Sequence, residues 1–281
     1  MHRLVSLLIL TSLILNCAVG ADRGEGAVSD LLKQARAASR NGKNEEAIVF
    51  ATKAIEADPK NSNSYYIRGQ FYETTRQHAK AIADYDQVLQ FDPRAPEGYQ
   101  HRGCEHFKLG HIADSIADFD KFIELIPRQA PYHWQRGISL YYAGRYDDGR
   151  KQFELHQTVN PNDVENAVWH FLCVARSTGV EKARSSLIPI KGDARVPMAE
   201  IHALFSGKSK PEDVVAAAKA GESPSAALNN RLFYAHLYLG LYYEVIGDES
   251  REREYIFKAA ERSQENDYMG DVARVHADLL R

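Results

Sequence analysis

Residues 62–95 read SNSYYIRGQFYETTRQHAKAIADYDQVLQFDPRA, and the same pattern returns every 34 residues on both sides. Pro93 holds position 32 of this segment, and Pro59, Pro127 and Pro161 hold that position in its neighbours. Position 8 is Ala35, Gly69, Gly103 and Gly137; position 20 is Ala47, Ala81, Ser115 and Gly149; position 24 is Ala51, Tyr85, Phe119 and Phe153. Position 15 is glycine in three of the four, at Gly42, Gly110 and Gly144. A fixed period of this length marks a stack of helical hairpins. Small residues at 8 and 20 suit the closest crossing of two helices, and the bulk at 24 reads as a plug between neighbouring units. Glycine at 15 ends the first helix in the left-handed region. Proline at 32 stops the second helix, which it cannot continue. One such hairpin cannot bury its apolar face alone, so stability rests on the unit-to-unit interfaces.

Unit one spans 28–61, unit two 62–95, unit three 96–129 and unit four 130–163. Over 28–163 this pattern resembles the tetratricopeptide repeat (TPR) family. The resemblance implies an all-α fold, a right-handed superhelix (solenoid) of antiparallel helix pairs, here with an irregular helical C-terminal segment. Departures are local: position 4 is Leu31, Tyr65, Tyr99 and His133, and position 27 is Val88, Phe122 and His156 in units two to four. Beyond Pro161, residues 164–190 read as a degenerate helix pair turning at Gly179. Residues 191–230 read as an irregular helical linker interrupted by Pro197. Residues 231–264 recover a TPR-like unit, with Leu239 and Gly240 at 7 and 8, Tyr243 at 11, Gly247 at 15 and Ala259 at 27; Glu252 breaks the small-residue rule at 20. Residues 265–281 read as a capping helix over the open end of the stack.

The layout also resembles the NlpI type of bacterial TPR lipoprotein over about residues 60–265. The similarity is carried by RGISLYYAGRYDDGRKQFE before NPND in unit four and by LYLGLYYEVIGDESREREYIFKAA near the end. That resemblance implies an envelope adaptor that dimerises and brings proteases together with cell-wall hydrolases.

The chain has 281 residues and a formal net charge of −3, with both signs spread along it. No basic stripe is present, which argues against nucleic-acid binding. Residues 1–21, MHRLVSLLILTSLILNCAVGA, place Arg3 before an apolar run from Leu4 to Leu15. The run is too short for a spanning helix, which needs about 20 residues, and reads as a secretory signal peptide. Cleavage after Gly20 or Ala21, lipidation at Cys17 and an uncleaved anchor are the alternatives; Asn16 before Cys17 departs from a lipidation motif. All three imply export, to the periplasm, the cell envelope or the medium, with membrane attachment by lipid only through Cys17. Cys104 and Cys173 lie about two repeats apart, too far to bridge, and read as buried thiols.

In a TPR unit, positions 2, 5, 9, 12 and 13 of the first helix face the inner surface. The candidate ligand-groove residues are therefore Tyr66, Gln70, Gln100, Phe107, Lys108, Trp134, Ile138, Tyr141 and Tyr142. A groove centred on Tyr66, Phe107, Trp134 and Tyr141 suits an extended peptide or a partner helix. The competing reading is that later helices, near Trp169 or Tyr242, fold back and bury this face. An open channel favours an adaptor; a filled one favours a structural subunit that self-assembles without a peptide ligand. Position 9, with Arg36, Gln70, Cys104 and Ile138, lacks the Lys and Asn of the TPR clamp for chaperone tails.

Arg68, Arg102 and Arg136 at position 7, with Asp84 and Asp118 at 23, read as structural bridges. His101, His106 and His111 are five apart and share no helical face, so no metal site is expected. His106, His133 and His156 occupy core positions and read as satisfied core histidines. No catalytic signature and no cofactor motif appears. The sequence thus points to a non-enzymatic scaffold or adaptor of the bacterial cell envelope that binds protein.

Overall fold

The computed structural model describes residues 26–221, 224–263 and 267–281; residues 1–21, where a signal peptide is expected, and Cys17 among them lie outside the described residues. The described residues form helices and turns, with no strand among them. None of these helices is long and apolar enough to cross a membrane. The chain divides into two compact units, the first ending at Gly98 and the second running from Tyr99 to Arg281.

In the first unit, α1 (26–40) pairs with α2 (Asn44–Ala57), and α3 (Ser62–Thr74) with α4 (His78–Phe91). The repeat positions explain the packing. A Cβ on Gly69 would stand 2.9 Å from the Tyr85 ring. The aromatic at 24 thus fills the hollow left by position 8 of its own unit, and in unit three it also reaches the next one, with Phe119 and His133 ring centroids 4.5 Å apart. Unit one uses Ala35 and Ala51 at these places, both fully buried, so a smaller 24 goes with a larger 8. Arg68 makes a bidentate bridge to the buried Asp84, at 2.9 and 2.7 Å. Gly42 ends α1 with φ of 74°, and Arg76 adopts φ of 56° at the equivalent place after α3. The hairpin therefore imposes the left-handed turn even without glycine.

The second unit begins in the first turn of α5 (Pro96–Lys108), followed by α6 (Ile112–Leu125), a 3-10 turn (Pro127–Tyr132), α7 (Trp134–Tyr142) and α8 (Tyr146–Gln157). Then come α9 (Val164–Thr178), α10 (Val180–Ser185), α11 (Met198–Phe205) and α12 (Pro211–Lys219). The chain closes with α13 (Ser225–Ile246), α14 (Glu249–Arg262) and α15 (Tyr268–Leu279). The position 8 to 24 contact recurs: a Cβ on Gly103, Gly137 or Gly240 would lie 2.7, 2.6 or 2.6 Å from Phe119, Phe153 or Ile256. The last pair shows that the late segment keeps the repeat register, with Gly247 left-handed at position 15.

Three features differ from expectation. Pro127 opens a 3-10 turn, so the first helix of unit four starts only at Trp134. α13 begins at Ser225, ahead of the expected boundary at 230, because Pro224 ends the preceding segment and SAALNN continues a helix without a breaker. α15 packs on α14 of the last hairpin and, beyond the expected end of the stack, lays Tyr268 against Phe107 of α5 and Trp134 of α7. The centre of this unit is α9, buried on every side from Asn166 to Ala175, the mark of a core helix. Cys173 is buried there, which raises its thiol pKa. Cys104 is only half-buried, and neither cysteine is in a disulfide among the described residues.

Candidate binding site

The inner-face residues fall into two groups, one on each compact unit. Tyr66 and Gln70 lie on α3, both half-buried, and the Gln70 amide donates to the Tyr66 hydroxyl at 3.3 Å. The same unit carries an open cleft of about 450 Å³, walled in part by Ser29, Leu32, Arg36 and Asn63, which occupy inner-face positions. Arg36 is exposed and has no ion pair among the described residues.

In the second unit the corresponding face is covered by the chain itself. Tyr268 of α15 stacks on Phe107, with ring centroids 5.3 Å apart, and meets Trp134 edge-on at 5.1 Å. Tyr142 hydrogen-bonds His276 Nδ1 at 3.1 Å, and His276 Nε2 contacts Glu252 at 3.1 Å. Glu252 is the residue that broke the small-residue rule at position 20; it is buried because it anchors α15. Tyr141 packs edge-on against Trp169 at 5.4 Å and donates to Glu244 of α13 at 2.7 Å. Burial, reinforced by Glu244, raises the Tyr141 pKa well above its ordinary value.

Phe107, Ile138 and Tyr141 are therefore core residues, not groove walls. Lys108 pairs with Glu105 and reaches Asp271 of α15 at 4.0 Å, while Gln100 bonds His133 at 2.6 Å. The physical reason is the buried face of α15, Met269, Val272, Ala273 and Val275, which needs an apolar partner and finds it there.

Beside Tyr268 a cavity of about 280 Å³ remains. Its aromatic walls are Trp134, Phe153, Trp169, Tyr234 and Tyr268; Asp163, Glu165 and Asp267 also line it, and no Lys or Arg does. Glu165 is held by Arg195 at 2.5 Å and by the Tyr238 hydroxyl at 2.6 Å, and burial raises its pKa. Asp163 shares Arg195, at 2.8 Å. Asp267 caps α15 by accepting from the Met269 amide at 3.1 Å; burial raises its pKa, and it has no ion pair among the described residues.

Two deeply buried wall residues carry unsatisfied polar atoms. The Asn166 amide nitrogen donates to the Phe153 carbonyl at 3.2 Å and to Gln157 at 3.0 Å, leaving Oδ1 without a partner. Trp169 Nε1 also has none among the described residues. Buried polar atoms are nearly always hydrogen-bonded, and these two are exceptions among the described residues. Of the sequence candidates only Trp134 lines this cavity. Asp163 and Asp267, N-caps of α9 and α15, were the legible signs of it.

The remaining polar residues resolve as structure. Arg102 grips Asp118 at 2.8 and 2.7 Å, as Arg68 grips Asp84. Arg136 reaches Asp120 and Gln152, because its own position 23 is Gln152. His133 lies against Phe119, and burial lowers its pKa to about 4. His156 Nδ1 bonds the Pro131 carbonyl at 2.8 Å, so His106, His133 and His156 have separate partners. His106 instead meets His111 and Asp114, their ligand atoms all within 4.8 Å. Five-residue spacing hid this grouping, because the turn at Gly110, with φ of 74°, brings the chain back.

The tetratricopeptide repeat family model matches residues 32–96, and a second model of the same repeat matches 96–129. Residues 32–129 thus match tetratricopeptide repeats. A tetratricopeptide repeat protein from Parabacteroides merdae superposes with a TM-score of 0.61 at 14% identity, covering 91% of this chain and 99% of that one. MamA superposes with a TM-score of 0.54 at 16% identity, covering 70% and 98%. At such identities the likeness shows the fold alone. No curated protein matches the sequence. TPR folds are typically non-enzymatic and mediate protein–protein interactions.

Proposed function

We propose that this TPR chain is a non-enzymatic interaction scaffold of the bacterial cell envelope, and that a partner protein is held at the acid-lined aromatic cavity through a cationic side chain. The carrying observation is that cavity, which sets five aromatic rings beside Asp267, an acid with no ion pair among the described residues. A Lys or Arg head on an aliphatic stem meets both needs. Its N–H groups pair with Asp267, and its charge lies against ring faces, worth about 0.5–2 kcal/mol as a cation–π contact. The leader-like residues 1–21 support export, and the NlpI-type layout supports envelope proteases and cell-wall hydrolases as partners.

Crosslinking and pull-down of the mature chain from its own envelope fraction tests this. Recovery of proteases or hydrolases with the native chain, and their loss with Asp267→Asn or Tyr234→Ala, is the expected result. Equal recovery with the variants would refute the cavity as the site.

A second reading, a structural subunit that assembles with itself, is favoured by the covered face at Phe107 and Tyr142. Light scattering of the mature chain over a concentration series separates the two. Growth into large assemblies supports the subunit, and a fixed monomer or dimer supports the scaffold.

A further inference from the structure

In three repeat units the turn between the paired helices carries a cation and its partner at positions 16 and 19. Lys43 meets Glu46 at 3.2 Å, Lys80 meets Gln77 at 2.6 Å, and Arg145 meets Asp148 at 2.8 Å. Unit three has His111 and Asp114 there, and these two make no ion pair within 4 Å. The His111 ring turns instead to His106 at position 11, where the other units carry Ala38, Tyr72 and Leu140.

We propose that His106, His111 and Asp114 form a binding site for a late divalent transition metal of the zinc class. This inference is independent of the partner reading above. The two Nδ1 atoms are 3.4 Å apart. That is long for an N–H···N hydrogen bond, given the usual range of about 2.7–3.2 Å for N–H donors. It equals the edge of a tetrahedron built on Zn–N bonds of about 2.0–2.1 Å, which places nitrogens roughly 3.3–3.4 Å apart. All three ligand atoms lie within 4.8 Å of one another, so a small rotation of the Asp114 carboxylate closes the set. Two imidazoles and a carboxylate are borderline-to-hard ligands that suit zinc or copper, not calcium.

The backbone holds the site ready. His111 N–H donates to the His106 carbonyl at 2.9 Å, across the left-handed Gly110. The His111 side chain makes no capping bond to α6, so its Nδ1 is free to ligate. Of the nearby cations, Arg102 is committed to Asp118. His111 and Asp114 are exposed, so an ion has a path in and water completes the coordination.

Calorimetric titration of the chelator-stripped mature chain with zinc chloride tests the proposal, with cobalt(II) absorption as a second readout. About one equivalent should bind, with a rise in melting temperature and a tetrahedral-type cobalt band. His111→Arg recreates the Arg–Asp pair of unit four and should fold normally, yet weaken zinc by at least about 100-fold. His106→Ala should do the same, and His101→Ala, outside the trio, should leave binding unchanged. No saturable zinc binding, or binding indifferent to His111→Arg in a variant with native circular dichroism, overturns the site.

Discussion

Position 9 of the first helix is Arg36 and Gln70 in the units of residues 26–98, and Cys104 and Ile138 in the next two. Arg36 stands exposed on an open cleft, whereas Ile138 is fully buried in the core that includes α9, α13 and α15 residues. Tyr66 and Trp134 make the same contrast at position 5. Tyr66 faces its own Gln70, and Trp134 lies edge-on under Tyr268. One hairpin design thus presents an open inner face in one compact unit and a covered one in the other. The polarity of the inner positions decides which. Apolar and aromatic inner residues are satisfied by a helix of the same chain, and polar ones stay in water.

The largest expected break in this comparison is Tyr268→Ala. It removes a partly buried ring from between Phe107 and Trp134 and should cost about 2–4 kcal/mol in urea unfolding. Tyr66→Ala, half-buried, should cost about 1 kcal/mol or less. Similar costs for the two would erase the distinction between the faces.

Acid should also separate the units. His133, lowered to about 4 by burial, is neutral in the folded chain while its unfolded counterpart titrates near 6.5. Between those values the unfolded state binds more protons, so stability is full above about pH 6.5 and falls as the pH drops towards 4. His170 and His236, also lowered by burial, lie in the same second unit. Residues 99–281 should loosen first, by a few kcal/mol by pH 4, and His133→Phe should flatten part of that slope. Urea midpoints across this pH range report it.

Gly103→Ala is next, because the added Cβ would stand 2.7 Å from Phe119. About 1–3 kcal/mol of destabilisation is expected from overpacking. The partner change Phe119→Ala should recover part of it by recreating the Ala–Ala pair of unit one. The smallest effect sharpens the account of the turns. Arg76→Gly relieves the left-handed strain seen at φ of 56° and should stabilise by roughly 0.5–1 kcal/mol, read as a small rise in melting temperature.

The hairpins were legible because close contacts force residue types: Gly under an aromatic, Ala under Ala, Gly at the turn. Even the late unit was readable, through Gly240 and Gly247 sixteen and nine residues ahead of Ile256. The place of α15 was not. An amphipathic helix shows that it has a buried face and not where that face goes, and aromatic inner positions serve a ligand and a returning helix equally well. Glu252 was the local sign, an acid at a small-residue position, and it became intelligible only with His276 beside it. The cavity was hidden for a related reason. Its walls come from five helices and from N-cap acids that serve a local purpose, so no single stretch of sequence spells it.

Amide hydrogen exchange on the chain, resolved to residues 268–279, tests most directly whether α15 covers the inner face of the second unit. If it does, these amides exchange nearly as slowly as those of α9, and Tyr268→Ala speeds exchange in them and in α7 while leaving residues 26–98 unchanged. Exchange of 268–279 in the native chain at the rate of an unstructured peptide would contradict the account.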